Sequence, residues 1–287
     1  VTRKRKPPAA MVRPPGGPYD PGVSTGVPRA LKAATGADEV VSEPLDAALG
    51  HERLARYFAG ELERVLRAIP KEGGPGKQAA LVNELLDVLR SKLDPSVVDG
   101  SSLVTPPEVL LAIHAPPAPP SRPTVPLSVS TLLTHARNEP RLGAEIASEI
   151  ESADSVDMLV SFIKWHGWRR LKEAFEVFAR AGRQLRALTT TYMGATDREA
   201  LDAIARLPGA EVRVSFDARR TRLHAKAWLF HRMTGFSSVY VGSANVSSAA
   251  LSEGLEWNLK ASEAESRAIV DKFRGAFDSL WEDGELE

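Results

Sequence analysis

Two short strand-like stretches hold the residue types best suited to chemistry on a phosphate group. In Leu223-His-Ala-Lys-Ala-Trp-Leu-Phe230, His224 and Lys226 stand two positions apart. Val239-Tyr-Val-Gly-Ser-Ala-Asn245 then supplies Ser243 and Asn245, and Gly254-Leu-Glu-Trp-Asn258 adds an acid, Glu256. The β-branched and aromatic residues of the first two segments predict strands. Residues two apart in a strand share a face, so His224 and Lys226 are expected side by side, and Ser243 and Asn245 likewise. A nucleophilic imidazole, a fixed cation, a hydroxyl and an amide converging on one spot suit a phosphate. Each fragment alone has a plainer reading: a histidine on a strand is usually structural, and Gly-Ser-x-Asn can be only a turn. The combination, in this order and with an acid downstream, favours the phosphate site.

The elements that must position these residues alternate. Leu142–Ser152 is predicted as a helix, Val156–Lys164 as a buried strand, Trp168–Ala181 as an amphipathic helix and Gln184–Thr191 as a strand. Asp197–Leu207 follows as a helix, Glu211–Ser215 as a strand, and Glu263–Trp281 as a closing helix after the two segments above. Such alternation argues an α/β fold with a mostly parallel or mixed sheet. Upstream, Leu54, Tyr57, Phe58, Leu62, Val65 and Leu66 recur at helical spacing and predict a helix over 48–69. Gly73-Gly-Pro-Gly76 breaks it, and a second helix is expected over 77–94, forming an antiparallel hairpin with the first. Thr105-Pro-Pro-Glu108 looks like an N-cap with proline in the first turn, opening a short helix to about His114. The domain reading is a disordered basic, Pro-rich arm at 1–47, a helical region at 48–114, a Pro-rich linker at 115–127 and an α/β domain at 128–287.

Composition narrows the function classes. The 287 residues carry 37 basic and 37 acidic side chains, so no global field draws in a polyanion and nucleic-acid affinity must be local. There is no cysteine, which excludes disulfides and thiolate metal sites. No apolar run approaches the ~20 residues of a membrane helix, and the basic start Val1-Thr-Arg-Lys-Arg-Lys6 leads into Pro and Gly rather than an apolar stretch. The expectation is a cytoplasmic protein without membrane contact. Gly74-Pro-Gly-Lys77 is not a P-loop, because Lys71 stands where the first glycine belongs.

His224, Lys226 and Gly242-Ser-Ala-Asn245 resemble the H-K-D signature of the phospholipase D superfamily, which includes lipases, nucleases and phosphodiesterases. The signature's Asp falls at His231, so the match is incomplete there, and His231 reads as structural or solvated rather than catalytic. Val160-Ser-Phe-Ile-Lys-Trp165, Thr189–Thr196, Arg222–His231 and Gly254–Asn258 further resemble the phospholipase D-like region at the N-terminus of bacterial DEAD/DEAH-type (superfamily 2) helicases. The resemblance implies a phospholipase D-like mixed sheet flanked by helices. It implies metal-independent two-step phosphoryl transfer with no cofactor, in which His224 becomes phosphorylated while Lys226, Ser243 and Asn245 hold the non-bridging oxygens. Glu256 is then the candidate carboxylate that accepts from His224 Nδ1 and fixes its tautomer. The family's general acid is a second histidine from a second signature. Of six histidines here only His224 lies in an H-x-K, so a homodimer completing the active site is expected, the alternatives being a missing half in absent sequence or an inactive domain. A helicase motor beyond residue 287 is the other partner the resemblance implies.

For the substrate, Arg213, Arg219, Arg220 and Arg222 crowd the approach to His224, which fits a nucleic-acid backbone better than a small neutral ester. Lys164-Trp165-His166-Gly167-Trp168 interleaves basic and aromatic residues where α/β sheets place binding loops, with base stacking on Trp165 or Trp168 weighed against core packing of at least one. Two readings follow: a nuclease acting on DNA or RNA, or an inactive version of the site that positions nucleic acid for a motor.

Overall fold

The structure is a computed structural model that describes residues 50–92, 102–113, 121–216, 223–252 and 254–282. The expected arm at 1–47, the start of the linker at 115–120, and Arg219, Arg220 and Arg222 lie outside the described residues. The chain divides into two compact units, Val1–Leu111 and Ala112–Glu287.

In the first unit, helices α1 (Gly50–Ala68) and α2 (Gly74–Arg90) meet at Gly73, whose φ of 66° is open to glycine at little cost. Gln78 Nε2 donates to the carbonyl of Leu66 at 2.9 Å, tying the start of α2 to the end of α1. The helix expected from Thr105 is absent: residues 103–113 have no regular structure. Pro107 pushes Pro106 out of the helical region, and Val109, Leu110 and Ile113 stay exposed, so no apolar face rewards a helix there.

The second unit is built on a seven-stranded mixed sheet. Its strands are β1 (Thr131–Leu133), β2 (Ser155–Val160), β3 (Gln184–Thr190), β4 (Ala210–Ser215), β5 (Lys226–His231), β6 (Ser238–Gly242) and β7 (Asn258–Ser262), in the order β1-β7-β6-β5-β2-β3-β4. The pairs β2–β3 and β3–β4 are parallel; the remaining four pairs are antiparallel. Strands β1 and β7 were not foreseen. Helices α3 (Leu142–Ser152), α4 (Trp165–Arg180), α5 (Arg198–Ala205) and α6 (Ser248–Ser252) cover one face, and α7 (Glu263–Trp281) lies on the other. Central β2 is buried on both sides, which is why Val156–Val160 is apolar at every position except Asp157, whose carboxylate is paired. Val156, Met158 and Val160 face the large core with Ile146, Phe175 and Trp228, while Leu159 faces Phe277 and Trp281.

A buried ionic cluster braces α3 against the sheet. Fully buried Glu149 accepts from Arg232 Nη2 at 2.6 Å and from Tyr240 Oη at 3.0 Å, and lies 3.4 Å from Lys260 Nζ. Lys260 also donates to the carbonyls of Val125 and Pro126, and Glu145 accepts from the N–H groups of Thr124 and Val125. Residues 124–126, expected in the linker, are therefore pinned onto the α/β unit.

Candidate active site

Lys226 opens β5 rather than lying within a longer strand, and His224 sits just before it. Strand β6 ends at Gly242, so Ser243 and Asn245 lie in the loop beyond it. The shared-strand-face expectation is thus corrected: the strands stop short, because the polar residues leave the sheet where it meets solvent. What gathers the residues instead is the sheet edge. Strand β5 runs antiparallel to β2, so Lys226 pairs with Val160, the last residue of β2. Gly242, the last of β6, pairs with Asn258, the first of β7. One edge therefore carries the exits of β2 and β6 and the entries of β5 and β7, where open α/β sheets place their ligands.

Lys226 is the centre of the arrangement and is buried to 9% exposure. Its Nζ donates to Ser161 Oγ at 3.1 Å and to the carbonyl of His224 at 2.9 Å. The same ammonium lies 3.2 Å from Nε2 and 3.3 Å from Nδ1 of His224, so cation and imidazole are in direct contact. Burial holds the Lys226 pKa below the ordinary lysine value, partly offset by the negative charge of Glu256. Ser161, which follows β2, donates in turn to the carbonyl of Ala225 at 3.2 Å. Sequence reasoning missed Ser161 as a site residue; its signal was a hydroxyl at the exit of an apolar strand run.

Ser243 Oγ donates to Glu256 Oε2 and accepts from the N–H of Trp257 at 3.1 Å. Glu256 was expected to take a hydrogen bond from His224; it is engaged by Ser243 instead, because the tight β6–β7 pairing brings those two loops together. A Cβ on Gly242 would lie 2.2 Å from the carbonyl oxygen of Trp257, so only glycine permits that approach. Asn245 is 8% exposed and its Oδ1 accepts from the N–H of Phe162 at 3.2 Å, joining the β6 exit to the β2 exit. The Lys164 N–H to Val246 carbonyl bond at 2.8 Å and the Ile163–Val246 bridge complete that junction.

Of the expected substrate contacts, Lys164 and Trp165 begin α4 three residues earlier than the helix was foreseen. Lys164 Nζ lies 3.2 Å from Asp197, which also accepts from the Trp165 N–H at 2.8 Å and is held below its usual pKa chiefly by that backbone bond. Trp165 is half-buried against the core. Trp168 is 1% exposed and stacks on Phe175 at 5.0 Å, so it packs the core and cannot stack on a base. Arg213 donates to the carbonyl of Trp281 and lies over that indole at 4.6 Å, bracing α7 rather than facing His224.

His231 ends β5, at the far end of the strand from Lys226, and its Nε2 lies 2.6 Å from Asp157 Oδ2. Asp157 also receives Arg186 in two bonds of 2.7 and 2.8 Å. Burial raises the Asp157 pKa, but the His231 and Arg186 bonds and charges together outweigh it and hold the carboxylate low. His231 is thus a hydrogen-bonding partner of Asp157, away from the Lys226 end of the strand. Among the described residues no cluster of three or more His, Asp or Glu is arranged to hold a metal ion, and no helix is long and apolar enough to cross a membrane.

Residues 146–281, from within α3 to the end of α7, match the family model described as "Cardiolipin synthase, PLD-like domain". Among solved structures, NucT from Helicobacter pylori is similar at 18% identity and a TM-score of 0.43, over 54% of this chain and 96% of that one. Nuc from Salmonella typhimurium, a phospholipase D family member, is similar at 18% identity and a TM-score of 0.40, over 55% of this chain and 99% of that one. No curated protein matches the sequence.

Proposed function

We propose that the α/β unit is a cytoplasmic, metal-independent phosphodiesterase of phospholipase D type that cleaves DNA or RNA through a phosphohistidine. The observation that carries the reading is the buried Lys226 ammonium, 3.2 Å from His224 Nε2, with Ser243 and Asn245 on the adjoining loop of the same sheet edge. A ring nitrogen of His224 attacks phosphorus, the bond to the leaving oxygen breaks, and a general acid protonates that oxygen. Lys226, Ser243 and Asn245 neutralise the charge on the non-bridging oxygens. Water then cleaves the phosphorus–nitrogen bond and frees His224. Glu256 polarises Ser243 and supports the positive charge of Lys226, so its part is positioning. Lys164 and Trp165, and Arg219, Arg220 and Arg222 ahead of His224, are the residues assigned to the flanking strand.

The general acid comes from the His224 of a second copy, because the chain has a single H-x-K. An exposed apolar row beside the site supports that partner: Leu132, Leu259 and Val241 align across β1, β7 and β6, and Trp257 and Leu255 continue it next to Glu256. Work alongside a helicase motor is the setting the sequence resemblance suggests. The test is cleavage of single-stranded and plasmid DNA in excess EDTA, wild type against His224→Ala. Cutting that persists in EDTA and vanishes in the variant supports the enzyme. Binding by both proteins without cutting supports a module that only positions nucleic acid.

A further inference from the structure

His166, Arg169, Arg170 and Ser248 line an open depression of about 390 Å³ on the α4–α6 side of the sheet edge. The three basic residues stand at i, i+3 and i+4 in the first turns of α4, so one helix face carries them all. Arg170 Nε donates to Ser248 Oγ at 3.0 Å, which fixes one guanidinium against α6. No carboxylate lines the depression, and neither arginine pairs with an acid among the described residues. Glu173 stands one turn further on the same helix, at i+4 from Arg169 and i+3 from Arg170, without a salt bridge to either, and Asp197, felt by His166, is already engaged by Lys164 and the Trp165 N–H. Adjacent guanidinium groups that no salt bridge engages repel one another, and a bound anion relieves that repulsion. Two arginine forks beside a hydroxyl match the oxygens of a phosphate.

The depression adjoins the His224 site through bonded loops. Ser248 follows Asn245 by three positions, and His166 follows Lys164, whose N–H bonds the Val246 carbonyl, by two. At ~3.8 Å between successive Cα atoms, Asn245 and Ser248 are separated by no more than about 11 Å. Phosphates on one strand of B-DNA rise by ~3.4 Å each, so a strand with one phosphate at His224 reaches the depression within about three more.

We propose that this depression is a second anion subsite, which grips a backbone phosphate of the strand beside the scissile one and makes a nucleic-acid polymer the substrate. The inference rests on the reading that the His224 site takes a phosphodiester, but binding and cleavage separate the two. The experiment uses the full chain carrying His224→Ala to block cutting, with a fluorescein-labelled single-stranded DNA 20-mer, followed by anisotropy from ~50 to ~200 mM salt. Adding Arg169→Ala and Arg170→Ala reduces the slope of log affinity against log salt by ~1.4, from two lost contacts at ~0.7 each on single strands. The resulting affinity loss is then about 7-fold larger at the low-salt end than at the high-salt end. Both arginines are exposed and alanine favours helix, so the fold is retained. The pair Arg180→Ala and Arg206→Ala removes the same charge from other exposed positions and serves as the control, with its slope kept. Equal slopes for the two pairs overturn the proposal, as does binding that requires Arg169 and Arg170 on anionic lipid vesicles but is absent on the oligonucleotide. A reduced slope together with a wild type that never cuts upholds the subsite and sinks the nuclease reading.

Discussion

Replacing Glu149 by Gln is the sharpest test of what holds the domain together. The side chain is fully buried and faces Arg232 at 2.6 Å and Lys260 at 3.4 Å. The amide keeps the volume and can still accept from Tyr240, but it removes the only carboxylate among the described residues in direct contact with either cation. Removing one partner of a buried pair costs about 3–5 kcal/mol, because the remaining charge stays desolvated. In a domain of this size that lowers Tm by roughly 6–20 °C, at ~2–4 °C per kcal/mol. Lys260 provides partial relief: burial already holds its pKa below the ordinary value of 10.5, with Glu149 opposing the fall. Without Glu149 the folded-state pKa drops further, so in the alkaline range the unfolded chain binds more protons than the native one. Stability of the variant therefore rises with pH relative to wild type. Urea denaturation at neutral and mildly alkaline pH measures both effects, with m unchanged as the check that only stability moved. A loss under about 1 kcal/mol, or a gap that does not narrow with pH, refutes the reasoning.

Further outcomes are expected. Lys226→Met lowers kcat by about 10²–10³, the effect of losing one transition-state donor, in a cleavage assay with folding checked by circular dichroism. In the wild type, burial holds the Lys226 pKa below 10.5 and the charged form binds phosphate, so cleavage falls on the alkaline side before an ordinary lysine would titrate. Stability runs the other way, since the buried charge is a cost below the folded pKa that is relieved as pH climbs through it. Gly242→Ala forces a Cβ onto the backbone of Trp257 and Asn258, costs about 1–3 kcal/mol in thermal unfolding, and impairs cleavage by parting Ser243 from Glu256.

What the sequence made legible follows from physics that is local. The closing helix Glu263–Trp281 has the predicted bounds because Ser262 caps it by accepting from the Ala264 N–H, although the helix is kinked at Ser266. Strand β2 was visible as an apolar run, but its end was not: Ser161 and Phe162 keep strand-like character in sequence, while their hydrogen bonds go to Ala225 and Asn245, far along the chain. Strands β1 and β7 escaped because each is short and β1 is an edge; their pairing, Thr131 with Lys260 and Leu133 with Asn258, is a long-range contact. The Pro-rich stretch before β1 reads as linker by composition, yet its backbone is held by Glu145 and Lys260, two charges whose burial no local pattern announces. The candidate site divides in the same way. Residue types and spacing gave His224, Lys226, Ser243 and Asn245, but which acid meets which donor depends on strand register.

That register also explains how a lysine without a directly bonded carboxylate can serve the site. A buried ammonium needs acceptors for its three N–H groups. Lys226 has two firm ones, Ser161 Oγ and the His224 carbonyl, and its third side is turned to the imidazole. Glu256 acts on it only through space, because Ser243 holds that carboxylate back. Backbone and hydroxyl dipoles therefore take the place of a directly bonded carboxylate at Lys226. An anion arriving at the exposed His224 meets the attraction of that ammonium at close range, from the buried side of the site. Moving a carboxylate into direct contact, as in Ser161→Asp, would satisfy the ammonium internally and remove that attraction, stabilising the fold at the expense of the site.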